Sequence, residues 1–239
     1  LAAVDWSGTA AIFDVTSPES PRRVATLLNH EQQQLGKLLW DIEFSPDGQY
    51  VAAAGQGGVW VWRGEERVAV PTADAAVNVQ FTPDSRRHAW RFQVKGDIGV
   101  WNMESSLAEP LQKRLSVSGT FAFVGNLRLL TVEGRNESDA TPILRLTDLQ
   151  SGEATIREWD RVPNLVREIE FGNGFALTPD ESWLALSGAN VTLWDLQSGK
   201  LIVVLPPEAT PTNTIDLSPD HSQLAVGLTD GTVVVWHLP

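Results

Sequence analysis

The segment HEQQQ, His30–Gln34, opens like the zinc-protease helix motif. That motif needs a second histidine four residues on to hold the metal, with the glutamate beside it activating water. Position 34 is Gln, so the segment reads as a polar loop. GQGG at Gly55–Gly58 is Gly-rich like a phosphate loop, but no helix start follows to receive a phosphate. It reads as a tight hairpin turn. GNGFAL at Gly172–Leu177 lacks a third glycine and a strand–helix–strand setting, and no G-x-S-x-G nucleophile elbow occurs. With no cysteine there is no thiol nucleophile, thiolate zinc site or disulfide. The remaining histidines, His88, His221 and His237, stand at unrelated positions. Carboxylates are abundant, but most aspartates occupy turns, where geometry alone favours them. No cofactor and no metal are expected.

Charge and hydropathy narrow the partners. Thirty acidic against eighteen basic residues give a formal net charge of −12, a surface that repels phosphate backbones, so no nucleic-acid partner is expected. No run reaches about 18 apolar residues, so no membrane span is expected. The absence of cysteine fits a reducing compartment, and the expected location is cytoplasmic. The 239 residues, 42% of them hydrophobic, suffice for one large or two small domains with a substantial core. Apolar residues rarely recur at helical spacing. They come in short runs between Gly, Pro, Asp and Ser, the pattern of an all-β fold.

Those runs repeat. FSPDG (Phe44–Gly48), FTPDS (Phe81–Ser85), LTPDE (Leu177–Glu181) and LSPDH (Leu217–His221) share a signature. Each is followed, 14 to 17 residues after its Asp, by a tryptophan closing an alternating run: Trp62, Trp101, Trp194 and Trp236. Two degenerate units end at Phe13-Asp14 and Thr147-Asp148. The six end positions are 49, 39, 46, 47 and 42 residues apart, a period suited to one four-stranded propeller blade. Within a unit, the Ser/Thr-Pro-Asp turn joins two strands. A Gly-containing turn, such as Thr229-Asp230-Gly231, closes a hairpin to the Trp strand. A Ser-Gly turn then leads to a fourth strand.

VTLWDLQSGK with its upstream LTPD resembles the WD-repeat β-propeller family in its prokaryotic style, over nearly the whole chain. The resemblance implies an all-β propeller of four-stranded antiparallel blades. Family repeats often bury a hydrogen-bonded set made of a Gly-His pair, a strand hydroxyl, a turn Asp and the Trp. Here only Asn29-His30 stands in the Gly-His place, Asp230 alone clearly fills the turn Asp, and Val226 occupies its partner hydroxyl position. The blades are therefore expected to rest on apolar packing.

The chain is expected to form a single propeller domain over 1–239, with blade units at 1–28, 38–70, 76–117, 119–160, 168–205 and 213–239. The first unit begins at its second strand and the last ends at its third. The chain is thus expected to be a fragment of a larger propeller or multidomain protein. A closed six-blade ring and a seven-blade ring are both compatible with this count.

Three features are candidates for partner binding. SRRHAWRFQVK, Ser85–Lys95, sets His88, Trp90, Phe92 and Val94 on one strand face and Arg87, Arg91 and Lys95 on the other. The cations either pair with neighbouring acids or contact a partner. Trp40, in LLWDIEFSPDG, falls at a strand start near the inter-blade loop that carries His30. Leu39, Ile42 and Phe44 fit the inward positions of that strand. The long polar loop EGRNESDAT carries Arg135 and Asn136. The expected function is a non-catalytic protein-interaction scaffold or sensor. By resemblance, such bacterial modules form part of larger signalling proteins, and the partners are proteins or other domains of the same polypeptide. The alternative is a propeller hydrolase or lactonase with carboxylates in a central channel.

Overall fold

The computed structural model describes residues 1–5, 7–17, 19–28, 38–94, 97–104, 113–115, 120–133, 143–158, 175–178, 180–187, 191–205, 212–218, 220 and 222–238. They fall into two compact units, Leu1–Val117 and Ser118–Pro239, each with three antiparallel sheets. In the first unit, β1 (Ala2–Val4), β2 (Ala10–Asp14) and β3 (Arg22–Leu28) make one sheet. The second holds β4 (Leu39–Phe44), β5 (Tyr50–Gly55), β6 (Gly58–Arg63) and β7 (Glu66–Thr72). The third holds β8 (Ala76–Phe81), β9 (Arg87–Phe92), β10 (Ile98–Asn102) and β11 (Lys113–Leu115). The second unit begins with β12 (Thr120–Val124), β13 (Arg128–Glu133), β14 (Ile143–Asp148) and β15 (Ala154–Glu158). Next come β16 (Phe175–Leu177), β17 (Trp183–Leu186), β18 (Thr192–Asp195) and β19 (Leu201–Val204). The last sheet holds β20 (Thr212–Leu217), β21 (Gln223–Leu228) and β22 (Val233–His237).

Every sheet is a meander, consecutive strands pairing in order, as in a propeller blade. The all-β expectation holds. No helix occurs among the described residues, so none there is long and apolar enough to cross a membrane; this says nothing of a β-barrel. The first and last sheets have three strands each.

Sheets stack face to face inside each unit, which is why the middle strands are apolar on both sides. Val51, Ala53, Trp60 and Trp62 pack toward the first sheet with Leu27, Leu28 and Leu39. Ala52, Ala54, Val59 and Val61 pack the opposite way, against Val79, Phe81 and Trp90. The second unit repeats this with Leu184, Leu186 and Trp194 on one side of its middle sheet and Ala185 and Leu193 on the other. A fully buried Leu or Val contributes about 1.5–3 kcal/mol by leaving water. GQGG is a two-residue hairpin: Gly55 pairs with Gly58. A Cβ on Gly55 would lie 2.3 Å from the Leu38 carbonyl oxygen, so no larger residue fits there.

The Ser/Thr-Pro-Asp signature has a hydrogen-bonding cause. At Ser45 the hydroxyl donates to Asp47 Oδ1 (2.6 Å) and accepts the Tyr50 N–H (2.9 Å), while Asp47 Oδ1 also accepts the Gln49 N–H (3.0 Å). Thr82 with Asp84, Thr178 with Asp180 and Ser218 with Asp220 repeat these contacts. The hydroxyl thus supplies the acceptor for the first N–H of the next strand, and the aspartate fixes the hydroxyl. Donation from Ser45 holds the Asp47 carboxyl below its ordinary range, and donation from Ser218 does the same at Asp220, to about 2.

The residue after Asp takes a left-handed conformation: Gly48 at φ 69°, Ser85 at φ 60° and Glu181 at φ 61°. Ser85 offsets that strain with a bond between sheets, its Oγ accepting the Asp47 N–H at 3.0 Å. A left-handed non-glycine residue costs roughly 1–2 kcal/mol, and a bond of this kind is worth about 1. Ser85→Ala keeps the strain and orphans the Asp47 N–H, so it should lower stability by about 1–2 kcal/mol in urea denaturation. Ser85→Gly loses the bond but relieves the strain, and should fall within about 0.5 kcal/mol of the parent. Equal losses in both variants would show that the bond to Asp47 is the whole effect.

Candidate functional site

β8 pairs with β9 along one edge. On its other edge the N–H groups of Val79 and Phe81 would lack partners, but two carboxylates of β4 take them. Asp41 Oδ2 accepts from Val79 N at 3.0 Å and Glu43 Oε2 from Phe81 N at 2.9 Å. Asp41 Oδ1 also accepts the Ile42 N–H at 2.9 Å. Charged side chains are a known way to blunt a sheet edge. Both are half-buried. Burial pushes the Asp41 carboxyl up to about 6 and the Glu43 carboxyl up to about 8, the latter also raised by the charge of Asp41.

A β-bulge sets this arrangement. The register of β4 on β5 slips between Leu39 and Asp41, leaving Trp40 as the extra residue. Leu39, before the bulge, and Ile42 and Phe44, after it, therefore face the same apolar layer, while Asp41 and Glu43 face β8. Slips recur near the start of β8, between Ala76 and Asn78, and of β20, between Thr212 and Thr214.

The structure puts Trp40 at that bulge, partly exposed. Arg87 and Arg91 lie on β9, half-buried and engaged within the fold. Arg87 contributes to holding the Asp84 carboxyl low. His88, Trp90 and Phe92 are buried as the alternation requires. Val94 is not: it sits past the strand end, 89% exposed. His30, Lys95, Arg135 and Asn136 lie outside the described residues.

Behind Arg87 and Arg91 is a buried aromatic cage. The His88 ring is 5.6, 5.3 and 5.4 Å from the rings of Phe81, Trp90 and Trp101, with no hydrogen-bond partner at either ring nitrogen. Burial drives its pKa down to about 3, so the ring is neutral. It is a packing residue.

The second unit contains a groove of about 400 Å³ between its first two sheets. Leu130, Leu144 and Leu146 form an apolar floor, and Asp180, Glu181 and Asp195 stand on the rim with Arg128. The turns place these acids. Asp180 is the signature aspartate bonded to Thr178. Asp195 closes β18, and its Oδ1 accepts the Ser198 N–H at 2.6 Å; bonding by Ser198 holds its carboxyl low. Glu181 pairs with Arg128 at 3.0 Å. Gly125 leaves room for this pair, since a Cβ there would come within 3.3 Å of Glu181 Oε1. Sequence reasoning missed this groove because β13, β14, β17 and β18 are far apart in the chain.

Among the described residues, no three His, Asp or Glu side chains converge to hold a metal. The family model for the WD domain, G-beta repeat, matches residues 21–63 and 199–237. The WD repeat and SOCS box-containing protein 1 of Takifugu rubripes is 24% identical, covering 86% of this chain and 51% of the relative. Over those two segments the chain carries WD repeats, and it is similar to WD-repeat proteins. It spans about half the length of that relative. Each matched WD repeat starts one strand before a sheet does: residues 21–63 run from β3 through β6 and 199–237 from β19 through β22. The repeat unit thus couples the last strand of one sheet to the first three of the next. WD-repeat domains generally mediate protein–protein interaction and are generally not enzymes.

Outside the two matched repeats, the fifth sheet has a buried polar contact of its own, with the hydroxyl on the tryptophan's strand and Leu186 in the place that Val226 holds in the last sheet. Trp194 Nε1 donates to Thr192 Oγ1 at 2.9 Å, and that hydroxyl donates to the Leu186 carbonyl at 3.3 Å.

Proposed function

We propose that this chain acts as a non-catalytic interaction scaffold or sensor: one β-propeller domain over residues 1–239, cytoplasmic, serving a larger bacterial signalling or regulatory protein. The groove of the second unit carries the reading. It joins an apolar floor to fixed charges, the combination a recognition site uses for burial and orientation, and Asp195 on its rim is held ionised rather than poised near neutrality. Trp40, Arg87 and Arg91, with His30, Arg135 and Asn136, are the proposed further partner contacts. The intact chain, immobilised and exposed to lysate of its own host, should retain a small set of proteins in stoichiometric amounts. No retained protein, together with turnover in a hydrolase screen, would overturn the reading.

The second reading, a hydrolase, draws on Asp41 and Glu43, whose pKa values near neutrality suit acid–base chemistry. Their engagement with the Val79 and Phe81 amides gives them a structural task instead. Activity abolished by Asp41→Asn or Glu43→Gln would favour the hydrolase.

A further inference from the structure

We infer that the groove of the second unit takes a basic peptide segment in which an arginine or lysine stands beside an aliphatic residue. This rests on the scaffold reading and adds the chemistry of the occupant. The rim supplies the first argument. Three carboxylates, Asp180, Glu181 and Asp195, face the groove against one guanidinium, that of Arg128, so an incoming cation meets net negative charge and an incoming acid is repelled. The chain as a whole, at −12, adds to the attraction at long range.

The floor supplies the second argument. Leu130 and Leu144 are buried, and Leu146 and Leu196 pack beside them at the groove wall. A simple cation, metal or amine, gains nothing from that wall. Arginine and lysine do, because their aliphatic stems lie along apolar surface while the charged head reaches a polar rim. A neighbouring aliphatic side chain would fill the rest. A volume of about 400 Å³ is ample for a few side chains and too little for a folded domain.

The third argument is that the groove already displays this chemistry. Arg128 lies against Glu181 at 3.0 Å, and its own side chain remains 46% exposed. A peptide arginine could take over Glu181 or bridge from it to Asp195, letting Arg128 swing outward to solvent. The left-handed backbone of Glu181 and the absent side chain at Gly125 hold the receiving carboxylate ready before any partner arrives.

The test uses the full chain and two fluorescein-labelled peptides, one alternating Leu and Arg, the other alternating Leu and Glu, read by fluorescence anisotropy. The Leu-Arg peptide should bind and the Leu-Glu peptide should not. Glu181→Gln combined with Asp195→Asn should weaken binding at least about tenfold, a change of roughly 1.4 kcal/mol. The asparagine retains an acceptor for the Ser198 N–H, so the turn is preserved. Leu146→Ser, read in parallel, should weaken binding as well. Asp47→Asn removes one charge from an equivalent turn of the first unit and should leave binding unchanged. Absence of binding, equal loss in the Asp47 variant, or a peptide alternating Gly and Arg binding as tightly as Leu-Arg would overturn the inference. The last result would mean charge attraction alone. If a host protein is retained by the intact chain but is indifferent to the groove variants, the scaffold reading stands and the basic-peptide inference falls.

Discussion

Gly99→Thr is expected to destabilise the protein by about 3 kcal/mol, and adding Trp90→Leu to the same chain is expected to restore a large part of that loss. The basis is a set of facing positions that recurs from sheet to sheet. In the fifth sheet Leu184 pairs with Trp194 and Leu186 with Thr192. In the third, the same places hold His88 with Trp101 and Trp90 with Gly99. In the second they hold Val51 with Trp62 and Ala53 with Trp60. The second pair of each set divides one space: Leu with Thr, Trp with Gly, Ala with Trp. A Cβ on Gly99 would lie 2.3 Å from Trp90 Cε2, and Trp90 is fully buried, so it has nowhere to move. Gly99→Thr alone therefore strains the sheet. Trp90→Leu alone leaves a cavity, at about 3 kcal/mol. Together they install the Leu–Thr pair of the fifth sheet, and the new hydroxyl comes within reach of Trp101 Nε1, which has no partner. The double variant should be more stable than the sum of the singles by at least about 2 kcal/mol. Urea denaturation followed by far-UV circular dichroism is the suitable probe, since one change removes a tryptophan. Additive losses would refute the shared-space account.

This pairing marks the boundary of what the sequence discloses. The repeat, the turn at Ser45-Pro46-Asp47 and the Trp strands are legible because they are local: the hydroxyl, the proline and the aspartate act within a few residues of one another. The hairpin at Gly55–Gly58 is legible for the same reason. The role of Asp41 and Glu43 is not, because it depends on a bulge at Trp40 that shifts which residues face β8. A spacing of 39, 42 and 44 for the inward residues was the available signal, since an unbroken strand keeps strict alternation. The groove is less legible still. Its floor comes from β13 and β14 and its rim from turns some 50 residues away, a combination that only stacking of sheets produces. The Trp90–Gly99 exchange lies between these cases: a glycine inside an alternating run signals close approach of another group, without saying which.

The pH profile of stability should separate two buried sets of opposite sign. Asp41 and Glu43 keep their protons in the folded protein up to about 6 and about 8, whereas unfolded carboxyls release theirs near 4. Their contribution is fully present below about pH 4 and is lost as pH rises through 6 and 8. His88 does the reverse. Its folded pKa is about 3, against about 6.5 unfolded, so its contribution is fully present above pH 6.5 and is lost as pH falls toward 3. The two windows overlap between about pH 4 and 6.5, where the single histidine offsets only part of the loss from the two carboxyls, so the parent profile should fall less steeply than that of a variant lacking His88. Variants uncover each side. Asp41→Asn with Glu43→Gln keeps acceptors for the Val79 and Phe81 amides and removes the titration. It should abolish a loss on the order of 5 kcal/mol between pH 5 and 8 and leave a profile that rises from pH 4 to 6.5. His88→Leu places the side chain found at Leu184 and Leu224 in the aromatic cage. It should remove a loss of about 2 kcal/mol at pH 5 and leave a profile that falls steadily from pH 4 to 8. Urea midpoints measured across that range decide the matter. Parallel profiles for the three proteins would mean that neither set titrates inside the fold. Both should instead diverge from the parent, the histidine variant toward acid and the carboxylate variant toward base, because burial resists charge of either sign.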